Sequence, residues 1–305
     1  MTTKLGFHVK NLQHLKLRVR NRISSSKFNF VYKTKHFYYR KKTNYPFLSG
    51  DGFASICDLY IKSLPLTTQE RVKLKKANSI FVVSHLLEAL IADYSDDFSS
   101  SYILAGNSDF EFTRNISFPD QLKTIFLQNS FISDSKRVFT LPIGVENISY
   151  ARNGIPSLLK YKNNWNSRKY TLMVGPFGNS HPDRDGLYES YENFSSPKVL
   201  LQNMRMSPRK FTNRMNDSKF VLCPRGNGID THRAWEALYR GCIPILKIDE
   251  WSRSLAWLKL PFLLVDDLGA STVFRAIENN DIEMFNPDRQ DWLWLDRWQT
   301  MLSKN

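Results

Sequence analysis

A chain of 305 residues with 42% hydrophobic and 13% aromatic side chains has room for two compact units of roughly 100 to 200 residues, each with its own core. Its net charge of +14 has the size expected of a nucleic-acid binder, but it is concentrated at one end. Lys4, Lys10, Lys16, Arg18, Arg20, Arg22, Lys27, Lys33, Lys35, Arg40, Lys41 and Lys42 face no acid in the first 50 residues, which leaves only +2 for the remainder.

Residues 1–43 therefore read as a basic arm. Such an arm meets anionic lipid headgroups, an anionic glycan or a nucleic-acid backbone by the same Coulomb attraction. The near-neutral remainder argues against nucleic acid, and the arm reads either as solvated or packed surface or as a peripheral membrane or glycan contact. No apolar run approaches the ~20 residues of a membrane-spanning helix, and no signal-type apolar stretch follows the arm. Cys57, Cys223 and Cys242 are odd in number and widely spaced. Reduced thiols in a cytoplasmic setting are expected, the arm touching the inner membrane face, and neither Cys nor His stands at metal-ligand spacing.

In chain order, Tyr45 to Phe53 forms a glycine-bracketed turn that exposes Asp51, followed by an amphipathic helix through Ile56, Leu59, Tyr60 and Ile61. Three short apolar runs come next, 79–83, 101–105 and 137–141, each ending in polar or glycine-rich residues. That punctuation suits buried parallel strands whose carboxyl ends deliver loops to one crevice. Between 144 and 169 the pattern thins into Asn, Gly, Pro and Lys, as a linker does. A second strand series follows at 170–175, 219–223, 242–248 and 262–265, separated by helices at 231–240, 250–259 and 270–279. Asn286 as cap and Pro287 as first helical residue open a final helix with a broad apolar face.

Within that series, strand 219–223 runs into Pro224-Arg225-Gly226-Asn227-Gly228-Ile229-Asp230-Thr231 and then into His232-Arg233-Ala234-Trp235-Glu236. Gly226 and Gly228 permit positive φ and close backbone approach, and Asp230 or Thr231 caps a helix whose free amides attract phosphate. Arg225 and Arg233 are placed to grip one diphosphate through forked guanidinium groups, with His232 as a further donor. Glu236, three residues after Arg233, shares its helix face and can accept from ribose hydroxyls. His181 and Arg184, in the loop after strand 170–175, are further candidates for the donor phosphates.

The stretch from Phe220 to Ile245, with its Leu-Cys-Pro-Arg-Gly turn, His-Arg-x-Trp-Glu-Ala helix and Gly-Cys-Ile-Pro strand, resembles the carboxyl-terminal domain of the exostosin family of glycosyltransferases. Residues 141–147 and 174–184 are similar, more loosely, to family members of microbial type. The resemblance implies an α/β protein of GT-B fold, two Rossmann-like domains facing across a cleft. It also implies inversion at the anomeric carbon, a nucleotide-sugar co-substrate (UDP-linked sooner than GDP-linked), a glycan or lipid-linked acceptor and no essential metal. Arg225, Arg233 and Glu236 fall on its donor-binding positions. The division is then 44–160 on the acceptor side, 161–285 for the nucleotide sugar and 286–305 for the closing helix. A GDP-fucose-dependent fucosyltransferase is the neighbouring alternative, and a basic nucleic-acid-binding protein the alternative of another class.

An inverting transfer needs a general base facing the donor. Asp109 in Gly106-Asn107-Ser108-Asp109 leads, followed by Asp51 and His85. Asp109-Phe110-Glu111 and Asp266-Asp267 imitate metal sites without being read as such, and Trp292, Trp294 and Trp298 are expected to pack.

Overall fold

The computed structural model describes residues 43–99, 101–132, 136–150, 152–159, 165–194, 198–280, 282 and 285–303. The basic arm, apart from Thr43, and the membrane contact expected of it lie outside the described residues. The molecule is mixed α/β, built on two five-stranded parallel sheets.

The first sheet runs in sequence order through β1 (Leu59–Ile61), β2 (Ser79–Val83), β3 (Ser101–Gly106), β4 (Leu122–Leu127) and β5 (Val138–Thr140). Ile80, Ile103, Ile125 and Val138 lie in register across four of these strands. Alternation sends the strand side chains to two different cores. Ile80, Val82, Ile103, Ala105, Ile125 and Leu127 join Leu74 of α2 (Thr68–Leu74) and Leu87 and Leu90 of α3 (Leu87–Tyr94). Phe81, Leu104 and Phe126 face the other way, toward α1 (Gly50–Ile56) and into the core that continues through the second half.

The second sheet is built from β6 (Tyr170–Val174), β7 (Val199–Leu201), β8 (Ser218–Leu222), β9 (Ile243–Lys247) and β10 (Leu263–Val265) in the order β10-β9-β8-β6-β7. Around it lie α4 (Leu187–Glu192), α5 (Pro208–Asn216), α6 (His232–Tyr239), α7 (Glu250–Ser254) and α8 (Ala270–Asn279). The final helix, α9 (Leu295–Leu302), carries Trp298 back to the first half, 4.9 Å from Phe53 and 5.2 Å from Phe126 between ring centroids.

Several sequence expectations change here. The helix read through Ile61 stops at Ile56, because Cys57 is extended and the Asp58 carboxylate accepts from the Asn78 and Ser79 amides. Leu59 to Ile61 becomes an edge strand instead. Within the stretch read as a linker, Ile148, Ile155 and Leu159 are buried. Asn286 and Pro287 open a 3-10 turn rather than the last helix. There the Phe47–Trp294 bridge and the bond from the Leu295 amide to the Pro46 carbonyl delay the helix to Leu295. All three cysteines are free thiols, Cys223 and Cys242 buried. Among the described residues no helix is long and apolar enough to cross a membrane.

Candidate functional site

The second sheet reverses its strand order between β6 and β8, and in open α/β sheets ligands bind outside the carboxyl ends of the strands at such a reversal. The loops that leave these two strands are 175–181 and 223–231. Gly175 turns the first with φ +79°, where a Cβ would stand 2.2 Å from the Gln202 carbonyl. Arg184 ties the two loops together. Its Nε donates to the Arg225 carbonyl at 2.8 Å, Nη1 to Gly178 at 3.1 Å and Nη2 to Pro224 at 3.3 Å. Arg184 therefore shapes the crevice with three of its five N–H donors. His181 is engaged as well, its Nδ1 accepting from the Asp183 amide at 3.1 Å to cap a 3-10 turn.

Arg233 and Arg225 retain unused donors. Arg233 gives Nη2 to the Pro176 carbonyl and stacks on Phe177, its guanidinium carbon 4.9 Å from the ring centroid, while Nη1 is buried without a hydrogen bond. Burial holds this guanidinium below its ordinary value, yet an arginine stays charged. Arg225 pairs across the crevice with Glu111, and its Nε is buried without a partner. The expectation that Arg225 stands free for a diphosphate is thus amended, because a carboxylate occupies it.

The glycine turn works differently from expectation. Neither Gly226 nor Gly228 takes positive φ; they matter for close approach alone. A Cβ on Gly228 would come within 2.6 Å of the Asn129 amide, and one on Gly226 within 3.2 Å of the Arg184 guanidinium. Thr231 is the cap residue of α6 by position, but its side chain makes no capping bond. Asp230 does not cap either. It is buried between the two halves, where its carboxylate accepts from the Ile143 amide at 2.8 Å and Trp235 Nε1 at 2.9 Å, and its own amide donates to Asn129. Burial pushes it up to about 7.

Glu236 is also enclosed, 3% exposed. Among the described residues nothing donates to its carboxylate. Burial pushes it up to about 7, nearby Arg240 and Arg233 pull the other way, and Glu146 adds to the rise.

Facing this loop is a cavity of about 440 Å³ at the carboxyl end of the first sheet, lined by Asp51, Asn107, Asp109, Asn147 and His232 among others. It is held open by a network of amides. Asn107 Nδ2 donates to Asp51 Oδ1 at 3.2 Å, Asn147 Nδ2 donates to Asn107 Oδ1 at 3.0 Å, and the Asp51 amide donates to Asn147 Oδ1 at 2.9 Å. Asn107 and Asn129 both take left-handed backbone, φ +57° and +53°, a conformation asparagine tolerates better than most residues. Gly50 is required by the same packing, since its Cβ would stand 1.6 Å from Asn107 Oδ1.

Of the three candidate bases, two reach this cavity and one does not. Asp51 lies in the first turn of α1, capped by Ser49 Oγ on the Gly52 amide at 3.0 Å, and so is not in an exposed turn. Asp109 is exposed and accepts from Asn227 Nδ2 at 3.2 Å, which joins the halves at the rim. His85 is exposed and is not among the lining residues. His232, read from the sequence as a donor-site residue, lines this cavity instead, with Nδ1 2.8 Å from the Gly144 carbonyl. None of Asn129, Asn147 and Glu111 is a candidate site residue in the sequence, where Glu111 stands only in an imitation of a metal motif and Asn147 only at the end of the stretch 141–147. The polar run Gln128-Asn129-Ser130 directly after an apolar segment was the available signal for the first.

Among the described residues no group of three His, Cys, Asp or Glu side chains is placed to hold a metal ion. No family model matches the chain.

Proposed function

We propose that this chain is an inverting glycosyltransferase of GT-B type that moves a sugar from a nucleotide donor, UDP-linked in the first instance, to a glycan hydroxyl. The observation that carries the reading is the pair of half-buried arginines at the β6/β8 reversal, Arg233 and Arg225, each with one buried guanidinium nitrogen lacking a partner. Buried donors without partners cost about 1–3 kcal/mol each, more when charged. An anion bound between them would remove that cost. A diphosphate leaving group has the matching charge and geometry, and its developing negative charge in the transition state is what such preorganised donors stabilise.

Three further features support the reading. The likeness of residues 220–245 to the exostosin family points to the same donor positions. Two parallel α/β halves with the closing helix returned to the first agree with a GT-B arrangement. The cavity opposite presents Asp51, Asp109 and several amides, and among its described lining residues none is Lys or Arg. That lining suits a neutral, hydroxyl-bearing acceptor rather than a phosphate.

The test is thermal stabilisation of the full chain by a panel of UDP- and GDP-sugars. A rise in Tm of several degrees with at least one of them is expected. No rise with any of them contradicts the proposal.

A further inference from the structure

We infer that His232 is the general base of the transfer, taking the acceptor proton on Nε2. The inference rests on the glycosyl-transfer reading above and goes beyond it by assigning the proton.

The argument starts from the Gly144 carbonyl. Gly144 has φ +67°, and a Cβ there would lie 2.2 Å from the Leu48 carbonyl, so this turn is fixed by packing. Its oxygen lies 2.8 Å from His232 Nδ1. A carbonyl only accepts, so Nδ1 carries the ring proton, and in the neutral imidazole Nε2 is then the bare acceptor. Among the described residues Nε2 has no hydrogen bond, and the ring lines the 440 Å³ cavity.

The ring's surroundings keep it neutral at rest and receptive during the step. Burial and its place at the positive end of α6 both disfavour the imidazolium, and burial is the larger cause of its lowered pKa. The Gly144 bond and the Asp109 carboxylate oppose that shift, so the cation that forms on proton transfer has partners. Of the other candidates, Asp51 receives Asn107 on Oδ1 and Asp109 receives Asn227 on Oδ2 at the exposed rim, each keeping its second oxygen.

In the step itself the acceptor hydroxyl gives its proton to Nε2 while its oxygen bonds the anomeric carbon. The bond from that carbon to the donor phosphate breaks on the opposite face, and its electron pair leaves on the nucleoside diphosphate. Imidazolium His232 then returns its proton to water. Because His232 and Arg233 are consecutive in α6, one helix start serves both the acceptor proton and the leaving group.

Two measurements test this. The first is the tautomer of His232, read by long-range 1H–15N NMR of the full chain at pH 7, the signal being assigned by its loss in His232→Asn. Protonated Nδ1 with bare Nε2 is expected; the opposite tautomer overturns the inference. The second is release of UDP or GDP from a panel of their sugars, with methyl glycosides as acceptors. Asparagine keeps a donor where Nδ1 was, so His232→Asn preserves the Gly144 bond and removes only the base. A fall in kcat of about 100-fold or more with donor KM within threefold is expected. Wild-type turnover with His232→Asn within tenfold of it overturns the inference and spares the transferase reading. No release by wild type from any donor overturns the transferase reading, whatever the tautomer.

Discussion

The two sheets are alike in size and sense but build the polar faces at their carboxyl ends by different means. In the second half one continuous segment, Pro224 to Glu236, follows a single strand at the order reversal and carries its charges within 13 residues. In the first half the strand order never reverses, and the cavity is assembled from α1, the ends of β3 and β4, and the chain after β5. The charged loop is locked by burial and by Arg184. The cavity is locked by amide-to-amide bonds and by asparagines in left-handed backbone. Fixed cations suit an anionic group, whereas a set of amides and carboxylates suits hydroxyls.

Breaking the cavity alone is expected to give the largest effect. Gly50→Ala places a methyl group where Asn107 Oδ1 now sits and displaces the Asn107–Asp51–Asn147 network. A displacement of about 1 Å in positioning groups costs up to about 100-fold in rate. Transfer to methyl glycosides should fall by that order while the Kd for UDP, measured by calorimetry, stays within threefold. An equal loss of UDP binding would erase the distinction between the two regions.

Glu111→Gln sharpens the comparison from the other side. Glu111 holds Arg225 across the crevice, so a diphosphate must displace a carboxylate to use it. Neutralising Glu111 should tighten UDP by about three- to tenfold and steepen its salt dependence, because the site then carries more net positive charge. Weaker UDP binding would mean that Glu111 positions Arg225 instead of competing for it.

The smallest expected effect concerns Asp230, which joins the regions. Its folded pKa of about 7 lies above the ordinary carboxylate value of 3.8, because burial disfavours the anion. The folded chain therefore binds this proton more tightly than the unfolded chain. That stabilisation is complete below the ordinary value and is lost as pH rises through about 7. Between pH 5 and 8, wild type should lose about 2–4 °C of Tm relative to Asp230→Asn, and parallel curves would count against the buried assignment. Glu236, raised the same way, adds to the wild-type slope.

What the sequence reveals follows the same division. Strands 79–83, 101–106 and 170–174 and helix 270–279 were legible because each is a short apolar or amphipathic run between polar turns. The loop proposed to hold the donor was legible because its charged and glycine residues are close together in the chain. The cavity was not, since Asn107 and Asn147 meet across 40 positions of chain and His232 reaches it from the other half, and no local pattern records such long-range neighbours. The same reason hid the partners of Arg225 and Asp230. Both looked like ligand or cap residues until Glu111, Asn129 and Ile143 arrived from the other half. Edge strand β1 went unread because its three residues continue an amphipathic pattern and only pairing with β2 makes them a strand, whereas β4 went unread although Ile125 to Leu127 is a short apolar run like the others.

The central claim is that a nucleoside diphosphate binds through Arg233 at the β6/β8 reversal. Titration calorimetry of UDP and GDP into wild type and Arg233→Lys tests it most directly, lysine keeping the charge but losing the fork. Measurable binding of at least one diphosphate by wild type, weakened about tenfold or more in a folded Arg233→Lys protein, is the expected result. Binding that is absent from wild type, or unchanged by the substitution, would contradict it.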